Sequence, residues 1–157
     1  MRRIHIAALL ALVVAVPAAT ASSFFATKDK LCFIAGRTGY ELTGSATATT
    51  TVRIDNAAQR PDLRLQVVGD PAAADFVLID DGNTADSCKQ ASAVTSIRLD
   101  PAAAHADLTV TLSHAAADYT IYVRSANYSE QDAAALFSVI WQEARKTGTR
   151  RELAARN

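Results

Sequence analysis

The run Asp80-Asp81-Gly82-Asn83-Thr84-Ala85-Asp86-Ser87 is the densest group of oxygen-bearing side chains in the chain. Hard oxygens on a glycine-bearing loop are what Ca²⁺ accepts, which makes Asp80, Asp81, Asn83 and Asp86 a weak candidate site. The spacing departs from the D-x-[DN]-x-[DN]-G pattern and no bidentate glutamate follows. A solvated loop next to Cys88 is the better reading, and no metal or other cofactor is expected.

The histidines offer no better centre. His5 lies in the leader, and His105 and His114 flank the apolar run Leu108 to Leu112. At roughly 3.3 Å per residue they would stand about 20 Å or more apart, too far to share one ion. H-E-x-x-H, G-x-S-x-G, the P-loop and the dinucleotide fingerprint do not occur. With 16 acidic residues a carboxylate pair for hydrolysis is conceivable, but position in sequence selects none. No catalytic residue is therefore assigned.

The two cysteines carry a clearer message. Cys32 and Cys88 form an even pair without a C-x-x-C spacing or a partner histidine, so a structural disulfide is expected rather than a reactive thiol.

That reading requires export, and the N-terminus supplies a signal for it. Arg2 and Arg3 precede an apolar run from Ile4 to Val16, and Ala19-Thr20-Ala21 matches a small-residue cleavage site. Residues 1–21 read as a signal peptide. The alternative is an uncleaved membrane anchor over about 4–26, which would leave the domain outside the cytoplasm all the same. Loss of residues 1–21 removes two of 16 basic side chains and none of 16 acidic ones, so the mature chain carries a net charge of −2. Nucleic acid is a poor partner for such a chain.

The elements that would position any site follow from periodicity. After a lead segment, 22–30, strands are expected over 31–35, 46–55, 63–68, 76–79, 94–99, 108–112 and 119–124. Gly36-Arg37-Thr38-Gly39 reads as a tight turn. In the second strand Thr50, Val52 and Ile54 alternate with Thr49, Thr51 and Arg53, giving a threonine-rich outer face of ordinary β-formers.

Asp70-Pro71-Ala72-Ala73-Ala74 recurs as Asp100-Pro101-Ala102-Ala103-Ala104, each between two apolar runs and each followed by a second aspartate, Asp75 or Asp107. Aspartate then proline is the N-cap and first-position pair of a helix, and alanine is the best helix former. Each insert is expected to be a single helical turn acting as a joint. Because a parallel crossover normally takes a dozen or more residues, the flanking strands are expected to run antiparallel or to pass between neighbouring strands.

One helix is expected, capped by Ser129 and stopped at Gly148, with Ala133, Phe137, Ile140, Trp141 and Ala144 on the sheet. The tail, 149–157, is basic and read as a solvated extension.

The expected fold is α+β: an antiparallel sheet of about six short strands with one C-terminal helix packed on a face, spanning 31–148 as a single domain. A β-sandwich with a terminal helix is the alternative. The expected function is that of an exported, non-catalytic domain of the bacterial cell envelope, periplasmic or secreted, binding a protein or surface component. The alternatives are a membrane-tethered accessory subunit of an envelope complex and a small carboxylate-dependent hydrolase.

Overall fold

The computed structural model describes residues 31–80 and 87–148. In chain order these form β1 (Leu31–Ala35), β2 (Thr38–Leu42), β3 (Thr50–Ile54), β4 (Leu63–Val67), β5 (Phe76–Asp80), β6 (Ala93–Leu99), β7 (Leu108–Ser113), β8 (Tyr119–Ser125) and α1 (Glu130–Lys146). The chain is α+β, as expected, but its single sheet has eight strands in the order β1-β2-β6-β3-β7-β4-β8-β5, curled into a half-barrel. Among the described residues only β1 and β2 pair antiparallel, and every other pair is parallel. The expectation of an antiparallel sheet of about six strands is thus corrected on both counts.

The order interleaves two runs of the chain, so that β6, β7 and β8 lie between β2, β3, β4 and β5. Short connections suffice because the register is steeply staggered. Val110 has Ile54, the last residue of β3, on one flank and Leu63, the first residue of β4, on the other. The chain therefore leaves β3 at the level where β4 begins. It has only to step sideways over one strand, about 10 Å at two strand spacings, without running back along the sheet.

The same step recurs at Ile97, between Leu42 and Thr50, and at Val52, between Leu99 and Leu108. Leu65, between Leu112 and Tyr119, and Ile121, between Val67 and Phe76, complete the series. These pivot residues, Ile97, Val52, Val110, Leu65 and Ile121, are all completely buried. Aliphatic side chains at these positions hold each step against the core, where truncation to alanine would cost about 2 to 5 kcal/mol for leucine or isoleucine.

A backbone-mimicking aspartate sets the level of four of the steps. Asp62, Asp75, Asp107 and Asp118 each directly precede a strand and face the residue before a pivot. Asp107 donates its N–H to Thr51 O at 2.9 Å and accepts from Thr51 N at Oδ2 at 2.7 Å. Asp62 does the same with Thr109, Asp75 with Thr120 and Asp118 with Arg64. Thr49 fills the role before β3, its hydroxyl accepting from Ser96 N at 3.4 Å. The carboxylate satisfies an N–H that a staggered neighbour leaves without a ladder partner.

The alanine-rich inserts are joints in this scheme. Asp70 accepts from Ala72 N at 2.9 Å and caps a 3₁₀ turn over Pro71–Ala73; Asp100 accepts from Ala102 N at 3.0 Å in the second copy. The second copy stops at a turn and forms no helix. Both carry the chain over one intervening strand between parallel strands, which corrects the antiparallel expectation for their flanks.

One strand was hidden by its glycine. The tight turn is confined to Gly36 and Arg37, with Gly36 at φ +63°, and Thr38 already belongs to β2. Gly39 lies inside that strand because a Cβ there would stand 3.0 Å from Ala91 Cβ and 3.1 Å from Cys88 Sγ. The short helical turn Ser87–Gln90 packs on that bare backbone.

Helix α1 closes the concave side. Ser129 Oγ accepts from Asp132 N, and Asp132 Oδ2 accepts from Ser129 N at 2.8 Å, a reciprocal cap that accounts for the burial of Asp132. From Ala133 to Val139 every residue is buried, whereas Glu130 and Gln131 before them are exposed, so the two turns from Ala133 are enclosed by the curled sheet rather than laid on one face of it. An aromatic file runs from Phe33 on β1 to Phe76 on β5, then through Phe137 to Tyr119 and Trp141. Its first contact, at 5.7 Å between ring centres, joins one side chain from each edge strand, while the two strands are not hydrogen-bonded neighbours.

Candidate functional site

Cys32 and Cys88 are joined by a disulfide, with Cα atoms 5.5 Å apart. It ties the edge strand β1 to the turn that follows β5, across a separation of 56 residues. A disulfide indicates an oxidising, non-cytoplasmic location. No helix among the described residues is long and apolar enough to cross a membrane.

Asp80 stands at the end of β5, where Oδ2 accepts from Asn127 Nδ2 at 2.7 Å and from Ser125 Oγ at 3.3 Å. It ties β5 to the corner leading into α1. Asp81, Asn83 and Asp86 lie outside the described residues. Among the described residues no cluster of three metal-ligating side chains occurs. His105 and His114 are exposed in the loops on either side of β7.

The second half of α1 is a different environment from the first. Glu143 accepts from Tyr40 Oη at 2.7 Å through Oε2 and from Thr95 Oγ1 at 3.2 Å through Oε1. Tyr40 and Thr95 are paired neighbours on β2 and β6, so one carboxylate fastens the emerging helix to two strands. Burial, followed by the Glu143 hydrogen bond and charge, pushes the Tyr40 hydroxyl far above the ordinary tyrosine range.

On the other flank of the helix Trp141 packs against the core and is partly buried. Its ring meets Tyr119 at 6.4 Å between centres, and the Arg145 guanidinium lies 4.7 Å from its centroid. Trp141, Gln142, Arg145 and Lys146 face Asp62 and Leu108, at the starts of β4 and β7, across an open cleft of about 340 Å³.

No family model matches the chain, and no curated protein matches it in sequence. Function must come from the geometry. That geometry also shows what sequence reading missed: the strand-start pattern of aspartate, an apolar residue, any residue and another apolar residue occurs at Asp62-Leu63-Arg64-Leu65, Asp75-Phe76-Val77-Leu78, Asp107-Leu108-Thr109-Val110 and Asp118-Tyr119-Thr120-Ile121. Comparing these four segments, instead of the alanine-rich inserts, would have revealed the structural repeat.

Besides Val94 on β6, the exposed large apolar side chains among the described residues lie at the open edge of the sheet. β5 ends the strand order and pairs with β8 alone among the described residues. Val77 and Ile79 are 40% and 45% exposed on its outer face, beside Tyr122 and Arg124 of β8.

Proposed function

We propose that this chain is an exported, non-catalytic domain of the bacterial cell envelope that binds a protein or surface component, using the free edge of β5 as its contact. The observation that carries the reading is that open edge, with two β-branched side chains exposed on it. A strand edge without a ladder partner offers a row of backbone donors and acceptors to an extended segment of a partner, and Val77 and Ile79 add apolar area beside it. The disulfide supports the exported setting. Against the hydrolase alternative, Asp62, Asp75, Asp107 and Asp118 each hold a backbone N–H at a strand start. Those carboxylates serve the sheet.

The test is photo-crosslinking in intact cells from a position beside Val77, comparing the wild-type chain, the Val77→Lys/Ile79→Lys double variant and Thr111→Lys, a change on the outer face away from the edge. The reading expects one discrete adduct with wild type and Thr111→Lys and its loss from the double variant, with thermal unfolding unchanged. Equal capture by all three, or no adduct from any, would contradict it.

A further inference from the structure

We infer that the cleft between the last turns of α1 and the starts of β4 and β7 binds a small monoanionic carboxylate ligand with an apolar body. This is independent of the β5 edge and of the partner proposed there.

Two of the residues lining the cleft are apolar, the partly exposed Trp141 and the almost fully buried Leu108. The partly exposed indole, with the Arg145 guanidinium over its ring, leaves part of its surface open to an apolar group. Arg145 and Lys146 stand on the helix side. Neither pairs with a carboxylate among the described residues: Arg145 lies on the Trp141 ring, and Lys146 Nζ donates to Gln142 Oε1 at 3.0 Å. Two adjacent cations at a helix C-terminus are already favoured by the dipole, whose own partial charge repels anions, so the site's attraction for an anion must come from these two side chains. The planar guanidinium fork matches a carboxylate bidentately.

Asp62 stands on the opposite wall and sets the upper limit on ligand charge. Its Oδ2 holds Thr109 N at 2.8 Å, so its carboxylate is fixed in place beside the cleft. A multiply charged anion would be repelled there, whereas a monoanion directed to Arg145 would keep its apolar part against Trp141. A donor group on the ligand, such as an amide N–H, would also find an acceptor in Asp62.

Trp141 is the chain's single tryptophan and gives a direct readout. The full chain would be titrated with N-acetylphenylalanine, its neutral amide, 3-phenylpropionate and inorganic phosphate, with fluorescence and calorimetry followed together. The inference expects saturable binding of both monocarboxylates, with little response to the amide or to phosphate. Tighter binding of N-acetylphenylalanine than of 3-phenylpropionate would identify a peptide C-terminus as the source; equal binding would identify a free acid. Arg145→Ala, checked by calorimetry because it alters the indole's surroundings, should weaken the carboxylates about tenfold at low salt, and Asp62→Asn should not weaken them. Binding of the amide as tight as that of the acid, an unchanged affinity in Arg145→Ala, or no saturable binding by the wild-type chain would overturn the inference.

Discussion

The two halves of α1 share one helix and meet different surroundings. From Ala133 to Val139 the helix is sealed inside the half-barrel, whereas from Ile140 to Lys146 it emerges, partly buried and then exposed, with polar fastening on one flank and an open cleft on the other. The sealed half is a matter of volume, since alanines at 133, 134 and 135 let the sheet close around the backbone and Phe137 fills what remains. The emerging half is a matter of chemistry. Its position depends on Glu143 holding Tyr40 and Thr95, which leaves Trp141, Arg145 and Lys146 presented to solvent. A helix that must anchor a fold and present a surface can separate the tasks along its length.

Substitutions that divide the halves break or sharpen this comparison. The largest effect is expected from Phe137→Ala, which removes the centre of the aromatic file and should cost about 3 to 5 kcal/mol in denaturant unfolding. Breaking the disulfide with Cys32→Ser and Cys88→Ser together should cost about 2 to 4 kcal/mol, read the same way, because the closed loop is long. Trp141→Ala should cost about 1 to 2 kcal/mol, well below Phe137→Ala, since the indole is only partly buried. A cost equal to that of Phe137→Ala would erase the distinction.

Smaller effects are expected at the strand starts and at the helix fastening. Asp107→Ala should lose about 1 kcal/mol, as for a helix cap, because it frees Thr51 N without opening the core. At Tyr40 the sign of the pH dependence is fixed by a raised folded-state value. The contribution is complete below the unfolded tyrosine value of about 10 and is lost as pH rises above it. Stability measured from pH 8 to 11 should therefore fall more steeply in the wild-type chain than in Tyr40→Phe.

Much of the local structure was legible. Alternation at Leu108, Val110 and Leu112 and at Tyr119 and Ile121 marks the inner face of strands that are present as expected, and Ser129 caps the helix it was expected to cap. The disulfide followed from an even cysteine pair.

The strand order was not legible, because the length rule for parallel crossovers assumes a chain that runs back along the sheet. The stagger at Val110 and Ile121 removes that return path. Gly39 concealed β2, since a glycine required by close packing of Ala91 and Cys88 reads in sequence as a turn. The cleft was hidden for a third reason: Asp62 and Leu108 come together only through the interleaving of β4 and β7, and no local pattern announces it.

The sole tryptophan provides the most direct test of the two-part helix. Iodide quenching would be compared between the wild-type chain and a Phe137→Trp/Trp141→Phe variant that melts cooperatively. The structure predicts substantial quenching of Trp141, strengthened by neighbouring Arg145 and Lys146, and little quenching of a tryptophan at 137. Equal quenching at the two positions, whether strong or weak, would contradict a helix sealed in its first half and presented in its second.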